Sequence, residues 1–223
     1  SAVVVGRFDS SEIVLGAGEP NETVFHAESP FNAYAARYAP NGALLWAYQI
    51  PKSEEAETSM YAFDVNALSD GRILVAGTLK GTAWPGQAME ISSLPPKDEM
   101  LNWDGFLAWL EAEDGIAQRA VRIGNDHQWL NRNVVVLADG SAIAAMEYRG
   151  DETFGIGEPN ETELHCEDLS AYVDYCVSLA RYDAEGKLQW VRDLGARQAS
   201  STALAALDNG NVGLFSTFGG PWD

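Results

Sequence analysis

GAGEPNETVFH at residues 16–26 returns as GIGEPNETELH at residues 155–165, with eight of eleven positions identical across an offset of 139. A string this unusual, spelled twice, points to internal duplication, and the spacing of its neighbours sets the period. A turn opening onto an apolar strand occurs three times, as LSDGRILVAG (68–77), LADGSAIAAM (137–146) and LDNGNVGLFS (207–216). Its glycines, Gly71, Gly140 and Gly210, are 69 and 70 apart. Asp-Gly and Asn-Gly favour tight turns because both residues tolerate positive φ. A third family, AARYAPNGALLW (35–46), LAWLEAEDGIAQ (107–118) and LARYDAEGKLQW (179–190), carries Gly42, Gly115 and Gly186, 73 and 71 apart. Each member reads as strand, tight turn, strand.

The period is therefore about 70 residues, with repeats near 1–70, 71–139 and 140–209 and a fourth opening at 210–223. Each period holds roughly four short strands and no helical periodicity. Four-stranded antiparallel units recurring at this length predict an all-β fold of β-propeller blades, about three in this chain. The string GxGEPNET skips the middle period, where GTAWPGQAMEISSLPPKDEMLNWDG stands instead; Pro85, Pro95 and Pro96 make that stretch an expected surface loop. The apolar runs ILVAG and VVVG are expected in innermost strands, covered on both faces. SAVVVG at residues 1–6 aligns with SAIAAM at 141–146, two periods on. The expectation is a partial propeller, completed by a longer chain or by another subunit.

Composition narrows the function. The chain has 223 residues and a formal charge of −19, from 14 basic and 33 acidic side chains. That balance opposes nucleic acid and anionic lipid surfaces. No apolar stretch approaches the roughly 20 residues that span a bilayer. The two cysteines, Cys166 and Cys176, are ten apart. That spacing suits a disulfide formed in an oxidising compartment, and a Cys166–Cys176 disulfide is the expectation over two buried thiols.

With these motifs in hand, the chain resembles the bacterial β-propeller repeats called SBBP-type, on FGIGEPNET (154–162) followed by LARYDAEGKLQW (179–190). The resemblance weakens in the middle repeat, where Arg119 stands in the place of Trp46 and Trp190. It implies a secreted or cell-surface protein, with the periplasm as the second choice, acting as a scaffold or binding module toward proteins or glycans. No catalytic residues come with the pattern. The ending Gly186-Lys187-Leu188-Gln189-Trp190 is also similar to repeats of quinone-dependent dehydrogenases and outer-membrane assembly lipoproteins, where it is a packing motif.

Candidate residues divide by chemistry. In the repeated string Gly18 and Gly157 permit special backbone angles, Pro20 and Pro159 preset a turn, and Asn21 and Asn160 are expected to cap their own backbone. Trp46 and Trp190 are expected to be buried between neighbouring units. Glu19, Glu22, Glu158 and Glu161 offer oxygen ligands to calcium, although no D-x-D-x-D-G series accompanies them. Asn21-Glu22-Thr23 and Asn160-Glu161-Thr162 fit a glycosylation acceptor. His26, His127 and His165 lack the spacing of a metal site, and no GxSxG elbow occurs. Four other tryptophans, Trp84, Trp103, Trp129 and Trp222, lie in loop-like surroundings. Within residues 82–105, Trp84, Trp103, Asp98, Glu99 and Asp104 form the candidate ligand site, for which carbohydrate is the alternative function. An enzyme with an active site in a central channel is the contrasting one.

Overall fold

A computed structural model of the chain describes residues 1–27, 31–54, 58–93, 103–124, 133–166, 176–197, 199–208 and 210–218. The described residues are all-β, and every strand pairing is antiparallel. The first sheet joins β1 (Ala2–Phe8), β4 (Asn32–Tyr38) and β5 (Leu44–Gln49), and between β1 and β4 lies a hairpin of β2 (Glu12–Leu15) and β3 (Thr23–His26). The second sheet has four strands in the order β6 (Ser59–Ala67), β7 (Ile73–Lys80), β10 (Asp104–Leu110), β11 (Ala117–Ile123). Its hairpin is β8 (Thr82–Ala83) with β9 (Ile91–Ser92). The third repeats the plan with β12 (Asn133–Val136), β13 (Ala142–Tyr148), β16 (Cys176–Tyr182) and β17 (Leu188–Arg197), plus a hairpin of β14 (Gly150–Phe154) and β15 (Thr162–Cys166). Finally β18 (Ala199–Ala206) pairs with β19 (Val212–Phe218).

One period thus contains a sheet and a separate hairpin, and each four-stranded sheet begins one strand before the turn glycine that marks the sequence repeat. The stretch expected as a loop in the middle period is, at 81–93, the same hairpin found in its neighbours; residues 94–102 lie outside the described residues. The described sheets form no closed ring, so blades are seen only as stacked antiparallel sheets.

The sheets stack face to face, and β7 shows how. Ile73 and Val75 enter the core shared with the first sheet, together with Ala35, Trp46 and Met60. Leu74 and Ala76 enter the core shared with the third, together with Ala144, Met146 and Ala180. Alternation along a strand sends successive side chains to opposite faces, and here both faces are dry, so the run is continuously apolar. ILVAG therefore marks the second strand of its sheet, not the innermost one as expected. β6 takes the edge position, and β6 and β12 meet through side chains. Asp64 accepts a hydrogen bond from Val134 N at 2.8 Å, and Asn66 Nδ2 donates to Val134 O at 2.8 Å.

Candidate functional site

The repeated string builds a side-chain clasp on the edge of its sheet. Glu19 N donates to Gly16 O and Glu22 N to Glu19 O, so two turns follow each other, and Pro20 takes the first central position of the second. Glu22 folds back to accept from Gly18 N at 2.6 Å. Glu19 then accepts from Leu44 N at 2.5 Å, while Asn21 Nδ2 donates to Leu44 O at 3.0 Å. The outward main-chain groups of an edge strand are thereby satisfied as if another strand were present. The later copy reproduces the contacts: Glu161 holds Gly157 N at 2.6 Å, Glu158 holds Leu188 N at 2.7 Å, and Asn160 reaches Leu188 O at 3.0 Å. Asn21 and Asn160 therefore bind the neighbouring strand, not their own backbone. All four carboxylates considered for calcium accept backbone N–H groups. Among the described residues no group of three or more His, Cys, Asp or Glu side chains is arranged for a metal.

In the middle copy Trp84, Gly86 and Glu90 stand where Gly16, Gly18 and Glu22 stand in the first. Gln87 N donates to Trp84 O, and Glu90 accepts from Gly86 N at 2.6 Å. Trp84 even keeps the left-handed backbone, at φ 52°, of Gly16 at 65° and Gly155 at 64°. A Cβ on Gly16 would lie 2.8 Å from the Leu44 side chain, and one on Gly155 would lie 2.7 Å from Leu188. The equivalent of those leucines is Ala117, which leaves room for the indole. Trp84 is fully enclosed, edge-on to Phe106 at 6.0 Å, with its N–H donating to the Tyr48 hydroxyl at 3.2 Å. Burial raises the Tyr48 phenol above its ordinary pKa.

Of the five residues assigned to the candidate ligand site, Trp84 and Asp104 are thus interior. Trp84 has no exposed face for stacking, and Asp104 is 1% exposed, with Arg122 at 3.7 Å. Asp98, Glu99, Trp129, Trp222 and His127 lie outside the described residues. Trp103 is half-buried and belongs to a cluster the sequence reading missed. Its ring lies 4.8 Å from that of Tyr61, which also contacts Phe31 at 5.1 Å and Phe63 at 5.7 Å. The exposed Arg7 lays its guanidinium 4.4 Å from the Tyr61 centroid and 5.1 Å from that of Phe31. The signal was present in MYAFDVNA: Met60 and Ala62 point into the core, so Tyr61 and Phe63 share the other face. Phe31 is held in a left-handed conformation, φ 59°, and its carbonyl accepts from the buried Lys52 Nζ at 3.0 Å. The result is a half-exposed aromatic shelf with one cation, a surface that stacks on flat or partly apolar groups such as sugar faces.

Cys166 and Cys176 form a disulfide with an S–S distance of 2.06 Å, joining the β14–β15 hairpin to the third sheet beneath Tyr148 and Leu164. The bond is consistent with an extracellular location, and among the described residues no helix is long and apolar enough to cross a membrane. His26 and His165 are cross-strand partners of Glu12 and Asp151 in equivalent hairpins.

Contacts between sheets follow one rule. In the first sheet Arg37 and Trp46 oppose each other, and both donate to the carbonyl of Ala112 in the β10–β11 turn, Trp46 at 2.9 Å. The Trp46 ring covers Gly115, 2.5 Å from where a Cβ would be. Trp109 and Arg119 likewise cover Gly186, each 2.9 Å from its missing Cβ. Arg181 and Trp190 are the third such pair, and Trp190 is half-exposed where Trp46 is buried. No family model matches the sequence, and no curated protein shows significant similarity to it.

Proposed function

We propose that the protein is a non-enzymatic repeat module of a secreted or cell-surface bacterial protein of SBBP type, its sheets acting as propeller blades that present a scaffold or binding surface. The observation that carries this reading is the contact made twice in the same sense, the tryptophan of a cross-strand Arg–Trp pair seated on the turn glycine of the next sheet. Residues that recur from unit to unit are committed to such contacts and to the hairpin clasp, a pattern of architecture and not of chemistry. The test is a panel of glycoside, ester, peptide and dye-linked alcohol substrates given to the disulfide-intact protein. No turnover is expected, and turnover removed by a single substitution would overturn the reading.

A second reading, carbohydrate binding, is favoured by the aromatic shelf of Tyr61, Phe63 and Trp103 under Arg7. Glycan-array binding lost in Trp103→Ala supports it; binding unchanged by that substitution sinks it.

A further inference from the structure

We infer that the junction between the second and third sheets holds a binding site for a neutral, single-ring sugar, built on Arg122, Glu158 and Tyr182. The inference goes beyond both readings above: it shares a ligand class with the second but none of its residues. A cavity of about 230 Å³ opens at this junction, walled by Val121 and Arg122 of β11, by Gly155 and Glu158 of the β14–β15 turn, and by Tyr182 and Gly186 of the β16–β17 hairpin. At the preceding junction the corresponding place is filled by side chains, the Trp84 indole donating to the Tyr48 hydroxyl at 3.2 Å. Strand register puts Val121 where Tyr48 stands, and Gly155 takes the place of Trp84. Tyr182 and Leu188 replace Leu110 and Ala117, which returns only part of the volume. The net loss is the Trp84 side chain less the branch that distinguishes valine from alanine, and a single ring makes it good.

The polar groups of the wall point to the ligand's chemistry. Tyr182 is 2% exposed, and its hydroxyl has no hydrogen-bond partner among the described residues. A buried hydroxyl left unpaired is costly, so a partner arriving in the cavity is favoured. Burial, with the Glu158 and Glu152 carboxylates, raises the Tyr182 phenol above its ordinary pKa and keeps it a neutral donor. Arg122 donates through Nη1 to Ser92 O at 3.2 Å, with Asp104 at 3.7 Å, which leaves its other nitrogens to donate. Glu158 accepts from Leu188 N through Oε2 at 2.7 Å and keeps Oε1 for a second donor. The wall thus offers donors, an acceptor and one charge of each sign. An anion would meet Glu158 and a cation would meet Arg122, whereas the hydroxyls of a neutral sugar both donate and accept.

The probes are the methyl glycosides of glucose, galactose, mannose and N-acetylglucosamine, each titrated into the full, oxidised, ¹⁵N-labelled chain while the amide signals of Gly155 and Gly186 are followed. A saturable shift with at least one of them is expected, with a Kd on the order of 1 mM for a ligand of this size. Tyr182→Phe keeps the ring and removes only the unpaired hydroxyl, so it should stay folded and bind roughly tenfold more weakly. Val121→Tyr restores the residue of the preceding junction and should abolish binding. Trp103→Ala removes a ring of the aromatic shelf and should leave binding here unchanged, which tells failure of this site from failure of the shelf. The inference is overturned if none of the sugars gives a saturable shift, if either cavity substitution leaves the shift unchanged, or if Trp103→Ala removes it. Tighter binding of glucuronate or of glycine overturns it as well, by showing that the wall selects a charged ligand.

Discussion

Trp109 and Arg119 face each other across β10 and β11 in the register that Arg37 and Trp46 occupy across β4 and β5, with the two residue types exchanged. The indole that Arg119 displaces from one strand reappears on the other. At Gly186 both side chains cover the turn glycine, whereas at Gly115 the Trp46 ring covers it and Arg37 donates to the Ala112 carbonyl. Trp109 is 1% exposed, so Trp109→Ala should cost roughly 3–5 kcal/mol through lost burial and a cavity. The exchanged double variant Trp109→Arg with Arg119→Trp should be more stable than the sum of its single changes by about 1 kcal/mol or more. Urea melts of the four proteins in this cycle measure the coupling, and additive effects would show that the two residues act independently.

Trp84 and Ala117 form a second exchange, against Gly16 with Leu44 and Gly155 with Leu188. Trp84→Gly should destabilise by roughly 3–5 kcal/mol, offset in part because a left-handed non-glycine residue carries about 1–2 kcal/mol of strain. Adding Ala117→Leu to that variant should recover stability. The same leucine in the wild-type background should destabilise by crowding the indole. Thermal melts of the two single variants and the double variant decide this by sign alone.

Reduction of Cys166–Cys176 should lower stability by roughly 2–3 kcal/mol, the chain-entropy value for a loop of ten residues. Denaturant midpoints of the oxidised protein and of Cys166→Ala/Cys176→Ala give the difference. An unchanged midpoint would mean that the hairpin is held by Tyr148 and Leu164 packing alone.

Asp64 supplies a pH dependence. Desolvation raises its pKa above the ordinary carboxylate value, against the lowering effect of the Val134 and Val65 N–H groups that it accepts. A raised folded-state pKa means that the native state binds the proton more tightly than the unfolded chain. The stabilisation this group contributes is complete below the unfolded value and is lost as pH rises through the folded one. The stability of the wild type relative to Asp64→Asn should therefore increase on acidification toward pH 4 and flatten near neutrality. Paired urea titrations across that range test the slope, and a difference independent of pH would place Asp64 in a water-like environment.

Sequence alone determined the all-β class and the period, because turn glycines and alternating apolar residues are local signals that need no partner to be read. The clasp was legible as a turn, but the task of Asn21 and Glu19 was not, since Leu44 lies more than twenty positions away and only folding brings its main chain within reach. The middle hairpin was hidden for a similar reason. Trp84 looks nothing like Gly16 until Ala117 is seen to have vacated the space, and a volume exchange between distant strands leaves no mark in either segment by itself. The aromatic shelf likewise needed the tertiary structure: Arg7, Phe31, Tyr61 and Trp103 come from four separate segments, and only the stacking of the first sheet on the second gathers them on one face.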